Sequence, residues 1–342
     1  MTTTRTCARA LLAFTLVAVT LAQCTRHELE HAKHRFYRMS TVTEVTVVMP
    51  RNHDPAPVWR RIDSLLASWE QRFSSSGPQS EPAALNACPE STCTVSPTLA
   101  RMLHDARRFG EMLDGRFDPT VLPLKELWGL GEDANLNAPL KAPSEAEIAE
   151  VLEHVDYRAI EVDTAANVVF RSDPDVRVDI GGIAKGYALA RTCALLEEMG
   201  FHDYLVSAGG DVAVAGSRAD GRPWLIGIQH PREPGALLAT VPLDSGTIVT
   251  SGDYERFRMI DGQRVHHLFD PRTGRSCDRN LSVTVWAPDA VEADVLSTGL
   301  FCMEADAILA FVSQRPHLEC IVVDHAGRTH VSDGWRSRVQ LR

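Results

Sequence analysis

Two side-chain oxygens four residues apart carry the first suggestion of chemistry. In VEADVLSTGLFCM, Asp294 and Thr298 stack on one face if the segment is helical. Val291, Val295, Leu296, Leu300 and Phe301 around them predict burial, and a carboxylate among such neighbours needs a cation or a set of donors. Carboxylate and hydroxyl oxygens suit a hard ion such as Mg²⁺, which commonly shares its coordination with substrate phosphates. Taken alone, Asp294 reads equally as an anchor for a helix-to-loop hydrogen bond.

A second stretch, VDIGGIAKGYALA from Val178 to Ala190, reads as a strand end, a double-glycine turn and a helix start. Gly181 and Gly182 permit close approach to the backbone, and the helix N-terminus offers N–H groups and a positive dipole end. An anion fits there, and so does a plain tight turn. Neither G-x-G-x-x-G nor G-x-x-x-x-G-K-[ST] occurs, which excludes the dinucleotide and P-loop fingerprints. The third stretch is HHLFDPRTG, His266 to Gly274, where a strand ends in a Pro and Gly turn. His267 is a candidate general base, since imidazole titrates near neutral pH; in a chain with 13 histidines a structural role is the competing reading. TSGDYERF and SAGGDV add two more glycine-bearing turns after strands, and such turns can converge on one cleft.

The elements that would position these residues are short and mixed. FYRMSTVTEVTVVMP alternates like a strand, Pro55 to Ser74 reads as a helix, and SPTLARMLHDARRFGEML as an amphipathic helix capped by Ser96. GRFDPTVLPLKELWGLG reads as irregular, and SEAEIAEVLEHV as a helix capped by Ser144. From Tyr157 on, strands dominate: AIEVD, NVVFR, YLVSAGG, DVAVAGS, PWLIGIQH, LLATVPL, TIVTS, RVHHLFDP, LSVTVWAP and CIVVD. Helices are expected from the double-glycine turn to about Met199, over Ala290 to Met303 and over Ala305 to Val312. With no repeat and no low-complexity linker, one α+β domain is the simplest organisation. A net charge of −10 without a basic run excludes nucleic acid as an expected partner.

At the N-terminus, Arg5 and Arg9 precede an uncharged apolar run from Ala10 to Ala22, the arrangement of a secretory signal peptide and too short for a bilayer span. Cys24 stands where a lipidated cysteine would follow Leu21-Ala22-Gln23. The boundaries expected are a signal peptide over 1–23, a tether over 24–34 and a single domain over 35–342, exported to the periplasm and held to a membrane by lipid on Cys24. Ordinary cleavage leaving a soluble periplasmic protein is the alternative. An oxidising compartment permits disulfides, and Cys88 and Cys93 are placed for a local loop disulfide. Cys193 and Cys302, in apolar helical patterns, read as core residues.

In this order the stretches resemble the ApbE family, the FAD:protein FMN transferases. MST at Met39 to Thr41 is similar to the family's MGT, and RFSSSGPQSEPAALN at Arg72 to Asn86 to its RFSxFxPxSExSxLN. GRFDPTVLPLKELW, DIGGIAKGYA, SAGGD, TSGDYERF, HHLFDPRTG, SVTVWAP and ADVLSTGLF follow in sequence, from Phe36 to about Val323. The resemblance implies an ApbE-like, T-fold-like composite α+β domain with mainly antiparallel sheets and flanking helices. It implies a Mg²⁺-dependent transfer of FMN from FAD onto a Thr or Ser hydroxyl of an acceptor flavoprotein, releasing AMP. The acceptor would carry a D-[ST]-G-[AS]-T-like motif and be membrane-associated or periplasmic.

By the same resemblance Gly182, Asp294 and Thr298 match the metal ligands. Met39, Arg116, Phe117, Asp118, Asp179, Lys185, Leu268 and Ser297 match positions that line the FAD site, and His267 matches the base. Ser76 stands where the family has an aromatic that packs on the flavin, leaving Trp69 or Phe73 to supply the stacking, and Ser40 replaces a glycine. Two alternatives stand beside transfer: a Mg²⁺-dependent FAD pyrophosphatase giving FMN and AMP, and a non-catalytic FAD-binding lipoprotein.

Overall fold

The computed structural model of the chain describes residues 28–74, 77–131, 134–135 and 141–342. The expected signal peptide, Cys24 and Ser76 lie outside them. The architecture is mixed α and β with mainly antiparallel sheets, as expected. Its centre is an eight-stranded sheet whose strands follow one another in chain order: β1 (Leu29–Arg38), β2 (Thr41–Pro50), β3 (Tyr204–Ala208), β4 (Asp211–Ala215), β5 (Ser245–Gly252), β6 (Asn280–Ala287), β7 (Glu319–Asp324) and β8 (Thr329–Val331). Every adjacent pair is antiparallel. The long insertions between these neighbours carry the helices and the cleft.

Four longer helices are α1 (Ala56–Phe73), α2 (Pro97–Met112), α3 (Ala184–Glu198) and α4 (Ala290–Leu300). Two-residue alternation along β2 sends Val45, Val47 and Met49 into the helical side, with Ile62 and Leu66 of α1 and Leu189 and Leu196 of α3. Val48 points the other way, into a cluster with Trp224, Ile226 and Ile228 of a three-stranded sheet built from Trp224–Gln229, Leu237–Leu243 and Gln340–Leu341. The middle strands of the main sheet are therefore covered on both faces.

The caps follow the expected chemistry. Ser96 accepts the Leu99 N–H at 3.2 Å, and Ser144 and Glu147 form a reciprocal capping box. Three expectations change. The main sheet begins at Leu29, inside the expected tether, because residues 29–38 pair along their whole length with β2. FYRMSTVTEVTVVMP is a hairpin rather than one strand: Met39 and Ser40 both take positive φ, 54° and 55°, in a two-residue turn whose sequence carries none of the usual Asn or Gly. Part of GRFDPTVLPLKELWGLG forms a short helix over Leu122–Leu127, led by a proline in its first turn. Among the described residues no helix is long and apolar enough to cross a membrane.

Candidate active site

The double-glycine turn is fixed from behind by its own aspartate. Asp179 Oδ1 accepts the Gly181 N–H at 2.6 Å, and Oδ2 pairs with Lys125 Nζ at 2.7 Å. Burial opposes ionisation of this carboxyl, but the charge and hydrogen bond of Lys125 and the Gly181 amide outweigh it and hold it below its ordinary value. Gly182 seats the turn on Phe117: an added Cβ would lie 2.9 Å from the Phe117 ring and 3.6 Å from the Thr298 methyl.

That second contact joins the early turn to the late helix, and α3 makes the junction closer still. Gly186 N–H donates to Asp294 Oδ2 at 2.7 Å. A Cβ on Gly186 would fall 2.7 Å from the Ala290 carbonyl oxygen and 2.8 Å from Val291 Cα. Only a residue without a side chain lets α3 and α4 approach this way.

Around this junction the charges are unbalanced. Lys185 forms an ion pair with Asp211, with Asp294 and Glu255 close enough to act on both. Burial alone would lower the Lys185 pKa, yet the three carboxylates together raise it. Burial lifts the Asp294 carboxyl to about 6, against Lys185 and with Asp211. Enclosure by the cleft walls likewise lifts Glu255, against Lys185 and with Asp211 and Asp294, to about 7. Three carboxylates share one ammonium, which is the donor chemistry of a cation site. Asp294 spends one carboxylate oxygen on Gly186, and the other accepts no hydrogen bond among the described residues. Thr298 Oγ1 sits one turn on and donates to the Asp294 carbonyl at 3.3 Å. The residues present thus fit a hard divalent ion. A compact trio of possible ligands elsewhere, His154, Asp173 and Asp175, does not line the cleft.

His267 stands on the same cleft, after the strand Gln263–His266. Its ring Nδ1 lies 3.3 Å from the Arg256 carbonyl, which can only accept, so Nδ1 carries the hydrogen and Nε2 keeps its lone pair. Burial, reinforced by Lys125, pushes its pKa down to about 3. The ring is neutral at pH 7 and is a proton acceptor by geometry.

The cleft encloses about 990 Å³. It is lined by Met39, Arg116, Phe117, Asp118, Asp179, Gly182, Lys185, His267, Leu268, Asp294 and Thr298, so most of the expected residues meet there. Ser297 does not: it is fully buried beside the cleft, its hydroxyl 2.9 Å from Ser251 Oγ and donating to the Asp294 carbonyl. Helical geometry explains the difference, since a residue one before Thr298 is turned by about 100° from it. Asp118 lines the cleft with its carboxylate already engaged by Thr120 and by the Tyr157 amide at 2.9 Å. Met39 N–H donates to Glu70 Oε1 at 2.6 Å, tying the β1–β2 turn to α1. Trp69 and Phe73 of α1, rings 4.6 Å apart, form an aromatic wall.

Lys125, Asp211, Glu255 and Thr250 also line or support the cleft and escaped the residue-by-residue reading. Asp211 and Glu255 lie in the glycine-turn stretches SAGGDV and TSGDYERF, which was their signal. Lys125 lies in GRFDPTVLPLKELW, and the short helix over Leu122–Leu127 is what aims it at Asp179. Cys88 pairs with Cys93, as its loop position suggests. Cys302 is not a free core residue: it is disulfide-bonded to Cys277, which chain separation hid, while Cys193 is free and half-buried.

Comparisons with known proteins agree with this geometry. The model of the ApbE family matches residues 39–322. The FAD:protein FMN transferase of Vibrio cholerae serotype O1 is 30% identical over 300 residues, 86% of this chain and 83% of that protein. The FAD:protein FMN transferase of Salmonella typhimurium is 39% identical over 213 residues, a match that spans 61% of this chain and only 60% of that protein. Among solved structures, the ApbE protein from Thermotoga maritima superposes with a TM-score of 0.82 at 31% identity, covering 90% of this chain and 99% of that one. The flavin transferase ApbE from Vibrio cholerae does so at 0.80 and 27%, covering 91% and 99%.

Proposed function

This chain belongs to the ApbE family, and from that premise we propose that it is an FAD:protein FMN transferase, moving FMN from FAD onto a Thr or Ser hydroxyl of an acceptor flavoprotein. The observation that carries the reading is the meeting of the Gly182 turn with Asp294 and Thr298 beside a surplus of carboxylate. FAD occupies the cleft, its flavin against Trp69 and Phe73 and its pyrophosphate towards the α3 N-terminus. Mg²⁺ held by Asp294, Thr298 and the Gly182 carbonyl would offset the pyrophosphate charge and the charge growing on the leaving group.

The acceptor hydroxyl loses its proton to His267 Nε2 as its oxygen bonds to the FMN phosphorus. The bond from that phosphorus to the bridging oxygen breaks, and the oxygen leaves with AMP. Burial keeps the proton affinity of the ring low, and the anionic pyrophosphate would raise it towards what a base needs. Lys185 holds Asp211 in place and keeps its proton, while Asp294 is held by the Gly186 N–H. Within this proposal the acceptor carries a D-[ST]-G-[AS]-T-like motif, and enzyme and acceptor meet at the periplasmic face of a membrane, the enzyme anchored through Cys24.

The test incubates the protein with FAD, Mg²⁺ and an acceptor bearing that motif. Transfer yields a fluorescent acceptor in gel and an FMN-sized mass gain. Free FMN and AMP beside an unlabelled acceptor identify a pyrophosphatase instead, and FAD recovered unchanged identifies a carrier.

A further inference from the structure

The two disulfides differ in where they act. Cys88–Cys93 closes a local loop that does not line the cleft. Cys277–Cys302 joins the two chain segments on which the proposed chemistry depends. Cys302 follows α4, the helix of Asp294 and Thr298, by two residues; Cys277 ends the segment that carries His267, Leu268 and Phe269. Both are buried, at 5% and 7% exposure.

The contacts run from the sulfurs to the cleft wall. Cys277 N–H donates to the Leu268 carbonyl at 2.9 Å, and the Cys277 carbonyl accepts His266 Nε2–H at 2.8 Å. His266 Nδ1 in turn accepts the Leu268 N–H at 3.3 Å, and the His266 ring meets Phe301 edge-on at 5.5 Å. Cys302 Sγ lies 3.6 Å from the Phe269 carbonyl. Leu268 and Phe269, the two residues after His267, both line the cleft.

We propose that Cys277 and Cys302 are positioning residues: their bond fixes the His267 segment against the end of the Asp294 helix, so that flavin transfer develops fully only in the oxidised chain. The proposal rests on the transferase reading of the cleft. Reduction by two equivalents of an external thiol converts one S–S bond into two cysteine thiols and one external disulfide. Both thiols fit the apolar cluster that holds the sulfurs, so the fold survives while the tether is lost. Burial keeps external thiolates from the bond in the folded state, so the oxidised form persists once made.

The test compares wild type, C277S/C302S and C88S/C93S in full-length protein by steady-state transfer and by hydrogen exchange of the backbone amides. For C277S/C302S the expected result is a kcat lower by about tenfold, a KM for FAD within about twofold of wild type, and faster exchange confined to residues 266–277. C88S/C93S keeps wild-type kcat. Wild type reduced with a phosphine after partial unfolding and refolded in its presence behaves as C277S/C302S does, which also serves should that variant not fold. Wild-type kcat and exchange in the reduced or substituted protein overturn the proposal, as does a loss of protection spread over the whole sheet. If oxidised wild type transfers no flavin, the transferase reading fails, and the exchange pattern alone still decides whether the bond holds this segment.

Discussion

Around Lys185 the cleft gathers Asp211, Asp294 and Glu255, whereas beside Asp179 it sets Lys125 and the neutral ring of His267. The first region has more carboxylate than ammonium, and burial raises the carboxyl pKa values there. The second pairs its one carboxylate with a lysine, and the same burial lowers its histidine. Desolvation acts on both in the same way, against the charged form, and only the Asp179 carboxyl and the Lys185 ammonium have partners that outweigh it. In the proposed reaction the first region would take up the cation and the second would face the anionic pyrophosphate.

Breaking the first region should have the largest effect. Asp294→Ala removes the charged candidate ligand, and transfer is expected to fall by ~10²–10³-fold at low Mg²⁺. Titrating Mg²⁺ against rate checks this: an unchanged rate and Mg²⁺ requirement refute the cation assignment. His267→Gln strikes the second region, with an expected loss of about 10² in kcat and little change in FAD affinity. Parallel losses of rate and of affinity, by fluorescence titration, would instead make His267 a binding residue.

Lys125→Met sharpens the contrast through stability. It leaves the buried Asp179 carboxylate unpaired, at a cost of about 3 kcal/mol, while Lys125→Met with Asp179→Asn should cost less than Lys125→Met alone. Urea unfolding of Lys125→Met, Asp179→Asn and the double variant decides it, and additive losses would show that the pair is not coupled. Gly186→Ala tests the junction between the regions. Alanine gains about 1 kcal/mol of helix propensity, but a Cβ 2.7–2.9 Å from the Ala290 oxygen, Val291 Cα and Asp294 Cβ forces α3 and α4 apart. Overpacking of this kind costs about 1–3 kcal/mol, so a net loss in Tm is expected. An unchanged Tm would mean that the helices separate freely.

At pH 7 the mildest test is of pH dependence, since the His267 contribution changes only in acid. His267 has a folded pKa near 3 against an ordinary 6.5, so between those values the unfolded chain binds the extra proton. Its contribution is therefore complete above pH 6.5 and is lost as pH falls towards 3. Thermal melts of His267→Gln should show a shallower decline over that window than wild type, and superimposable curves would count against the depressed value.

Periodicity and capping residues sufficed for much of the fold. The Ser96 and Ser144 caps, the alternation of β2 and the string of strands after Tyr157 depend on neighbours a few residues away, and local sequence holds that information. The order of glycine-bearing stretches was enough to indicate the family and most of the cleft lining. The β1–β2 hairpin was missed because Met39 and Ser40 adopt positive φ without turn residues, and the pairing energy of two ten-residue strands overrides that local preference.

What the sequence by itself determined is the inventory: which oxygens, glycines and imidazoles are available, and in which local conformation each is presented. What only the tertiary structure decided is which of them share a boundary. Gly182 and Gly186 meet Thr298 and Asp294 across more than a hundred residues, Lys125 finds Asp179, and Cys277 finds Cys302. Those pairings arise when helices and sheet close on a common core, and a cleft's charge balance depends on the carboxylates and ammonium groups that burial brings together, wherever they lie in the chain.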